Sequence, residues 1–246
     1  MQPLAKPSAK HRVDRLHERL QAHIPVVLPA LLLCDFGHLA REIERLEEAG
    51  AVALHLDIMD GRFVPQLTYG MVVVEAVRRT ASVPIEVHLM VEEPDQTVAD
   101  YARVGADILT VHFEALPDPR RTLQRIASLG SRAHLAISPT TPVEKVFPFL
   151  DACAGVLVMS VEPGFGGQAF NPLALEKLSA LRAIRSQREL SFCLAVDGGI
   201  STQTVASVAA AGAEMIVAGS AVIRSKNYTE AICDLERMAL AACVTA

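Results

Sequence analysis

From Val26 onward the chain alternates between two patterns. Short runs rich in branched apolar residues give way, repeatedly, to longer stretches whose apolar positions recur at helical spacing. A short apolar run bounded by turn residues predicts a buried strand, and the longer periodic stretches predict amphipathic helices. The strands so predicted cover residues 26–33, 52–59, 85–90, 106–113, 133–138, 155–160, 192–197 and 214–219. Between the first two, "DFGHLAREIERLEEAG" places Leu39, Ile43 and Leu46 on one face and ends at Gly50, a helix stop. Similar helix endings recur at 104–106 and 211–213.

Alternating strands and helices imply a parallel sheet with right-handed crossovers. Eight such units from Val26 to Ala246 predict an α/β fold, a closed (β/α)₈ TIM barrel forming a single catalytic domain over 26–246. An open doubly wound sheet would instead show six strands and a G-x-G-x-x-G turn. Residues 1–25 are polar and basic, with Val13, Leu16 and Leu20 at helical spacing, and predict an N-terminal extension that is partly helical. Asp14 and Glu18 argue against a transit peptide there.

Composition narrows the function classes. With 246 residues, 51% of them hydrophobic, and a mean hydropathy of +0.30, the chain has ample material for a core. A net charge of -5 and 4% aromatic residues offer nucleic acid or an anionic membrane no general attraction. An anionic ligand must therefore be held locally. The five cysteines, Cys34, Cys153, Cys193, Cys233 and Cys243, form no C-x-x-C pair and read as reduced core thiols of a cytoplasmic protein. No apolar run approaches the roughly 20 residues of a membrane span, and the N-terminus lacks the apolar centre of a signal peptide.

Against this background the polar residues of "LHLDIMDGRFVP" (54–65) stand out. Strand side chains alternate faces, so Leu54, Leu56 and Ile58 share a packing face while His55, Asp57 and Met59 project together on the other. A buried carboxylate costs several kcal/mol, roughly, unless a cation, a metal or hydrogen bonds meet it. Catalytic groups of a (β/α)₈ barrel gather at the C-terminal strand ends. There the chain supplies His55 and Asp57 on the second strand, His88 on the third and Asp197 on the seventh. A single inward histidine reads as a hydrogen-bonded core residue. Two imidazoles and two carboxylates at one barrel mouth form a ligand set for a divalent transition metal: zinc, manganese, iron or cobalt. His112, at the end of the fourth strand, has no evident partner and reads as a supporting group.

Glycine and methionine add to this. "VEPGFGGQAF" (161–170) brings Gly164, Gly166 and Gly167 directly after the sixth strand, where glycine lets backbone amides approach an anion. "DGGI" (197–200) follows the seventh strand and "AGSA" (218–221) opens a helix after the eighth, the region where this fold commonly binds phosphate. Met59, Met90 and Met159, at or near the ends of strands two, three and six, are core filling or a low-polarity wall around the site.

Together "HLDIMDGRFVPQLTYG", "VHLM", "MSVEPGFGGQ", "VDGGI" and "VAGSA" resemble the ribulose-phosphate 3-epimerase family, from Ile24 to about Ala242. The resemblance implies a (β/α)₈ barrel that interconverts ribulose 5-phosphate and xylulose 5-phosphate through an enediolate. It implies one divalent metal per subunit, zinc first, held by His55, Asp57, His88 and Asp197, and no organic cofactor. Asp57 and Asp197 would also be the acid and base. Substrate and phosphate would lie against Ala30, His88, Gly164, Phe165, Gly166, Gly167, Gly198, Gly199, Gly219 and Ser220. Met59, Met90 and Met159 would cap the site, and the subunits would form a homo-oligomer.

The match has departures. Ala30 stands where the family usually has a serine contacting substrate, Cys34 where a small residue is usual, Gln66 replaces an asparagine and Tyr69 a phenylalanine. A lost substrate hydrogen bond costs about 1 kcal/mol, up to about 3 if a buried partner is stranded. Two alternatives follow: a 3-epimerase of another ketose phosphate, such as allulose 6-phosphate, and a catalytically silent sugar-phosphate-binding barrel.

Overall fold

The computed structural model describes residues 16–22, 24–165 and 167–244. All eight apolar runs form strands: β1 (Val26–Pro29), β2 (Leu54–Met59), β3 (Ile85–Met90), β4 (Ile108–His112), β5 (Arg132–Ile137), β6 (Gly155–Met159), β7 (Cys193–Asp197) and β8 (Met215–Ala218). They pair in parallel in the order β1-β8-β7-β6-β5-β4-β3-β2. A single parallel bridge between Ala30 and His55 joins β1 to β2 and closes the barrel. Preceding β1 is α1 (residues 16–21). Around the barrel run α2 (Leu39–Glu48), α3 (Met71–Thr80), α4 (Pro94–Arg103), α5 (Pro119–Ser128), α6 (Leu173–Gln187), α7 (Val205–Ala211), α8 (Ser220–Ile223) and α9 (Tyr228–Val244). Between β5 and β6 the connection is a 3-10 stretch, Val143–Ala152, because Pro148 inside it cannot donate to an α-helical ladder.

The first strand is shorter than its apolar run. The last ladder bond runs from the Ala30 amide to the Ala218 carbonyl at 3.1 Å, after which Leu31–Leu33 turn as a 3-10 helix. Leu31 enters the core while Leu32 and Leu33 turn to the mouth of the barrel. All three leucines are buried or half-buried, as strand residues would be, so hydropathy does not distinguish strand from turn here.

Period-two alternation separates two apolar regions. Leu54, Leu56 and Ile58 pack outward with Ile43 and Leu46 of α2 and Val74 and Val77 of α3. Inside the barrel, the strands from β6 round to β1 contribute apolar or small residues, among them Leu157, Ala195, Met215, Val217, Val26 and Leu28. The inner faces of β2 to β5 are mostly polar: His55, Asp57, Glu86, His88, Thr110, His112 and His134 are all buried there, with Ile108 and Ala136 joining the apolar cluster. The interior is thus divided lengthwise into an apolar half and a hydrogen-bonded half.

At the N-terminal end of the barrel Leu16 of α1 is buried beside Ile108, Cys193 and Met215. Arg19 of α1 meets Glu236 of α9 at 2.7 Å, and Glu236 also accepts the Val27 amide at 3.1 Å. The rest of the predicted helical extension, Val13 included, lies outside the described residues. The cysteines are free, and Cys34, Cys153 and Cys193 are buried. Cys233 is exposed and Cys243 half-buried on α9, which corrects the expectation of five core thiols: both lie on a helix whose outer positions face solvent. No helix of the described residues is long and apolar enough to cross a membrane.

Candidate active site

The strand register brings the predicted ligands together. Asp57 of β2 and His88 of β3 are direct cross-strand partners, and both project inward. Asp57 Oδ1 lies 3.1 Å from His55 Nε2 and 3.3 Å from His88 Nδ1. Asp197, at the end of β7, places Oδ2 3.8 Å from each of the same two nitrogens. One donor atom from each of the four residues falls within 4.8 Å of the other three. His55 and His88 are fully buried behind the carboxylates, while Asp57 and Asp197 line the cavity above them.

Several groups that sequence reasoning missed hold this cluster. Glu86 lies one inward position below His88 on β3, and its Oε2 is 3.0 Å from His55 Nδ1. Thr110 of β4 donates its hydroxyl to Glu86 Oε1 at 2.6 Å. His134 Nδ1 approaches the same oxygen at 3.7 Å and has no hydrogen-bond partner among the described residues. A carboxylate only accepts, so Nδ1 of His55 donates to Glu86, which turns Nε2, 3.1 Å from Asp57 Oδ1, to the side a metal would occupy, the arrangement that orients metal-binding histidines. Contrary to the sequence reading, His112 has two partners: His88 Nε2 at 2.9 Å and Glu114 Oε2 at 3.1 Å.

Burial raises the cost of each charge, and the neighbours decide the outcome. Burial would push Asp57 up, but His55 and His88 outweigh it and hold the carboxyl well below the usual carboxylate range. Asp197 takes no comparably short imidazole contact. Burial, reinforced by the charges of Asp57 and Glu86, pushes it up to about 6 against the pull of the two histidines. His112 is lowered to about 4 by burial, so its ring is neutral near neutral pH. The two facing carboxyls are therefore unlike, the pattern that separates an acid from a base. With two imidazole nitrogens and two carboxylates converging in a buried pocket, the donor set fits a divalent transition metal such as zinc.

Above the cluster is a cavity of about 240 Å³. Of the residues expected to touch substrate, Ala30, Gly164, Phe165, Gly167, Gly198, Gly199, Gly219 and Ser220 line it; His88 lies beneath it, and Gly166 is outside the described residues. Met59, Met90 and Met159 are buried in its wall. Ser201, absent from the sequence reading, also borders it, one residue beyond the "DGGI" run. Gly199 is required: its φ is +59°, and an added Cβ would lie 2.6 Å from the Phe170 backbone. Gly164 likewise has φ +115° and would bring a Cβ to 2.9 Å from Val64 Cβ.

The segment after β2 is tied to the site. Thr68 donates its hydroxyl to the Asp57 carbonyl at 2.8 Å and accepts the Met59 amide at 2.9 Å. Tyr69 Oη accepts the Asp57 amide at 3.2 Å. That amide lies just past the single bridge closing β1 against β2, so the tyrosine hydroxyl supplies the acceptor that a longer β1 would have offered.

A profile of the Ribulose-phosphate 3 epimerase family matches residues 26–223, which spans the barrel from β1 through α8. The chain belongs to this family. The ribulose-phosphate 3-epimerase of Synechocystis sp. is 46% identical over 209 residues, covering 84% of this chain and 91% of its own. Its counterpart in Bacillus subtilis is 41% identical, covering 85% and 97%. The chloroplastic ribulose-5-phosphate-3-epimerase of Arabidopsis thaliana is 41% identical, covering 91% and 79%. Among solved structures, KGPDC from Streptococcus mutans superposes with a TM-score of 0.68 at 16% identity, covering 89% of this chain and 99% of its own. At that identity the likeness concerns the barrel alone. Within the family fold, Ala30 borders the cavity directly, so the departure from serine falls on the site itself.

Proposed function

We propose that this chain inverts C3 of a ketose phosphate, interconverting D-ribulose 5-phosphate and D-xylulose 5-phosphate, with Asp57 and Asp197 as the proton carriers. Membership of the family and relatives of that name at 41–46% identity support the activity. The observation that carries the mechanism is the pair of inward carboxyls on β2 and β7, which line one cavity and differ in proton affinity. Inversion removes a proton from one face of a planar intermediate and returns one to the other, so it needs two groups. Asp57 and Asp197 face the cavity from β2 and β7, so one takes the proton and the other returns one; in the reverse reaction the roles exchange.

His55, Asp57, His88 and Asp197 would hold a divalent ion, with zinc the first choice for this donor set and iron, manganese or cobalt the alternatives. When bound, such an ion supplies positive charge that stabilises the negative charge developing as the C3 proton leaves. Met59, Met90 and Met159 exclude water from that side of the cavity. The phosphate lies against Gly164, Phe165, Gly167, Gly198, Gly199, Gly219 and Ser220, where backbone amides replace the cationic side chains that the cavity lining does not offer. No organic cofactor takes part. Residues 26–246 form the catalytic domain, with 1–25 as an extension to it. The free cysteines support a cytoplasmic location, and the subunits associate as a homo-oligomer.

Ala30 supports a second reading, a preference for another ketose phosphate such as allulose 6-phosphate, because a methyl group faces the cavity where a hydroxyl is usual. Measuring kcat/KM across pentulose and hexulose phosphates separates the two. A pentulose preference, with exchange of the C3 proton in heavy water and bound metal, supports the first reading. Preference for a six-carbon substrate supports the second, and absence of both exchange and metal would mark a silent sugar-phosphate-binding barrel.

A further inference from the structure

We propose that His112 and Glu114 form a positioning relay that fixes the tautomer of His88 and turns its Nδ1 lone pair toward the metal position. The inference rests on the reading of His55, Asp57, His88 and Asp197 as a metal site. The two histidines of that site are supported differently. His55 reaches a carboxylate directly, through Glu86 at 3.0 Å. His88 has no carboxylate behind it: its register partner on β4 is Thr110, whose hydroxyl is engaged with Glu86. Behind His88 there is another imidazole instead.

With a metal bound, the proton order along this chain follows from donors and acceptors. Glu114 Oε2, 3.1 Å from His112 Nδ1, can only accept while ionised, so Nδ1 of His112 carries the hydrogen. A neutral imidazole has one N–H, which leaves His112 Nε2 as an acceptor. That nitrogen is 2.9 Å from His88 Nε2, and two ring nitrogens at this distance share one hydrogen, so His88 Nε2 donates. His88 Nδ1 is then left to give its lone pair to the ion; without one, the same nitrogen would donate to Asp57 Oδ1, 3.3 Å away. The opposite order would set a His112 lone pair against the Glu114 carboxylate.

The relay is anchored at its far end. Directly after His112 the chain turns through a 3-10 helix, Phe113–Ala115, which folds Glu114 back against the ring. Glu114 Oε1 accepts the Ser138 amide at 2.9 Å and the Thr141 hydroxyl. The turn bearing those donors is pinned in turn by Lys177 of α6, whose ammonium donates to the carbonyls of Ser138, Pro139 and Thr141 at 2.7 Å each. His112 is fully buried, and the Phe63 ring packs against it with centroids 4.9 Å apart.

Zinc affinity, read by competition with a chromophoric chelator, tests the relay without reference to turnover. The native protein is compared with H88A, H112L and H112Q. Leucine removes the acceptor for His88 Nε2–H, whereas the glutamine amide oxygen can replace it. Loss of a partner behind a metal-binding histidine typically weakens affinity about 10–100-fold. H112L is expected to fall in that range, and H112Q to stay within about threefold of the native protein. Native-like affinity in H112L, or equal losses in H112L and H112Q, overturns the relay. Failure of the native protein to bind zinc, or undiminished binding in H88A, overturns the metal-site reading instead. Histidine ¹⁵N–¹H spectra of the zinc-loaded native protein read the tautomers directly, so the proposal stays testable if H112L does not fold. A hydrogen on Nδ1 of His112 and Nε2 of His88 is the expected result, and the reverse assignment refutes it.

Discussion

His55 and Glu86 meet at 3.0 Å in the barrel interior, and neither has any exposure to solvent. Glu86 also takes the Thr110 hydroxyl, so one carboxylate serves two inward side chains, with the His134 ring near it at 3.7 Å. Replacing it with alanine strands His55 Nδ1 and the Thr110 hydroxyl. Breaking a buried charged pair by removing one member costs about 3–5 kcal/mol. Glu86→Ala is expected to lose stability of that order in urea unfolding, and a loss below about 1 kcal/mol would contradict the structural role.

Asp57→Asn separates chemistry from folding. Asparagine keeps the volume and one acceptor oxygen for the flanking imidazoles but cannot take the C3 proton. Acid–base groups contribute about 10²–10⁴-fold to rate. A fall in kcat on the order of a thousandfold, with an unchanged near-ultraviolet circular dichroism spectrum, is expected. An active Asp57→Asn enzyme would refute the assignment.

Metal binding should depend on acidity through Asp197. Its carboxyl is pushed up to about 6 by burial and by the negative charges beside it. A ligand carboxylate must be ionised, so protons compete with the ion once the pH drops below that value. Protonation of Asp197 is expected to weaken zinc binding about tenfold per unit below pH 6, in addition to the competition from His55, whose imidazole, against the effect of burial, Asp57 and Glu86 hold well above its ordinary range. In Asp197→Asn this component should vanish, which chelator titrations at a series of pH values can measure.

At Gly199 a methyl group meets backbone, which cannot swing away. Overpacking of this kind costs about 1–3 kcal/mol. Gly199→Ala is expected to lose stability in that range and, because the same turn borders the cavity, to raise KM for the sugar phosphate more than it lowers kcat. Steady-state kinetics beside a urea melt would show both effects.

Tyr69→Phe removes the acceptor from the Asp57 amide and nothing else in volume. An unmet buried donor costs about 1–3 kcal/mol. Destabilisation near the lower figure is expected by urea unfolding, since the family resemblance gives phenylalanine as usual here.

Why the cluster of His55, Asp57, His88 and Asp197 is legible in the sequence and its supports are not is a matter of range. His55, Asp57, His88 and Asp197 follow from a period of two within strands and from the rule that strand ends converge, both of which are local. Glu86 carries the same signal, two residues before His88 in "IEVHLM", and could have been read from it. The His112–Glu114 contact depends on a turn folding back on its own strand, and the Tyr69 contact on a loop returning to the barrel seam; neither leaves a periodic trace. The apolar run overstates the first strand for a related reason: it records burial, not the direction of the backbone.

The lengthwise division of the barrel interior has a practical side for anyone wishing to raise the heat resistance of this enzyme. On the β6-to-β1 side the inward positions, such as Leu157, Met215, Val217 and Leu28, belong to one apolar cluster. Volume-conserving exchanges there cost less than about 1.5 kcal/mol and can be searched in combination. On the β2-to-β5 side most inward groups are donor or acceptor to another, so almost any exchange strands a partner. Thermostabilising libraries belong in the first half, with the second left untouched.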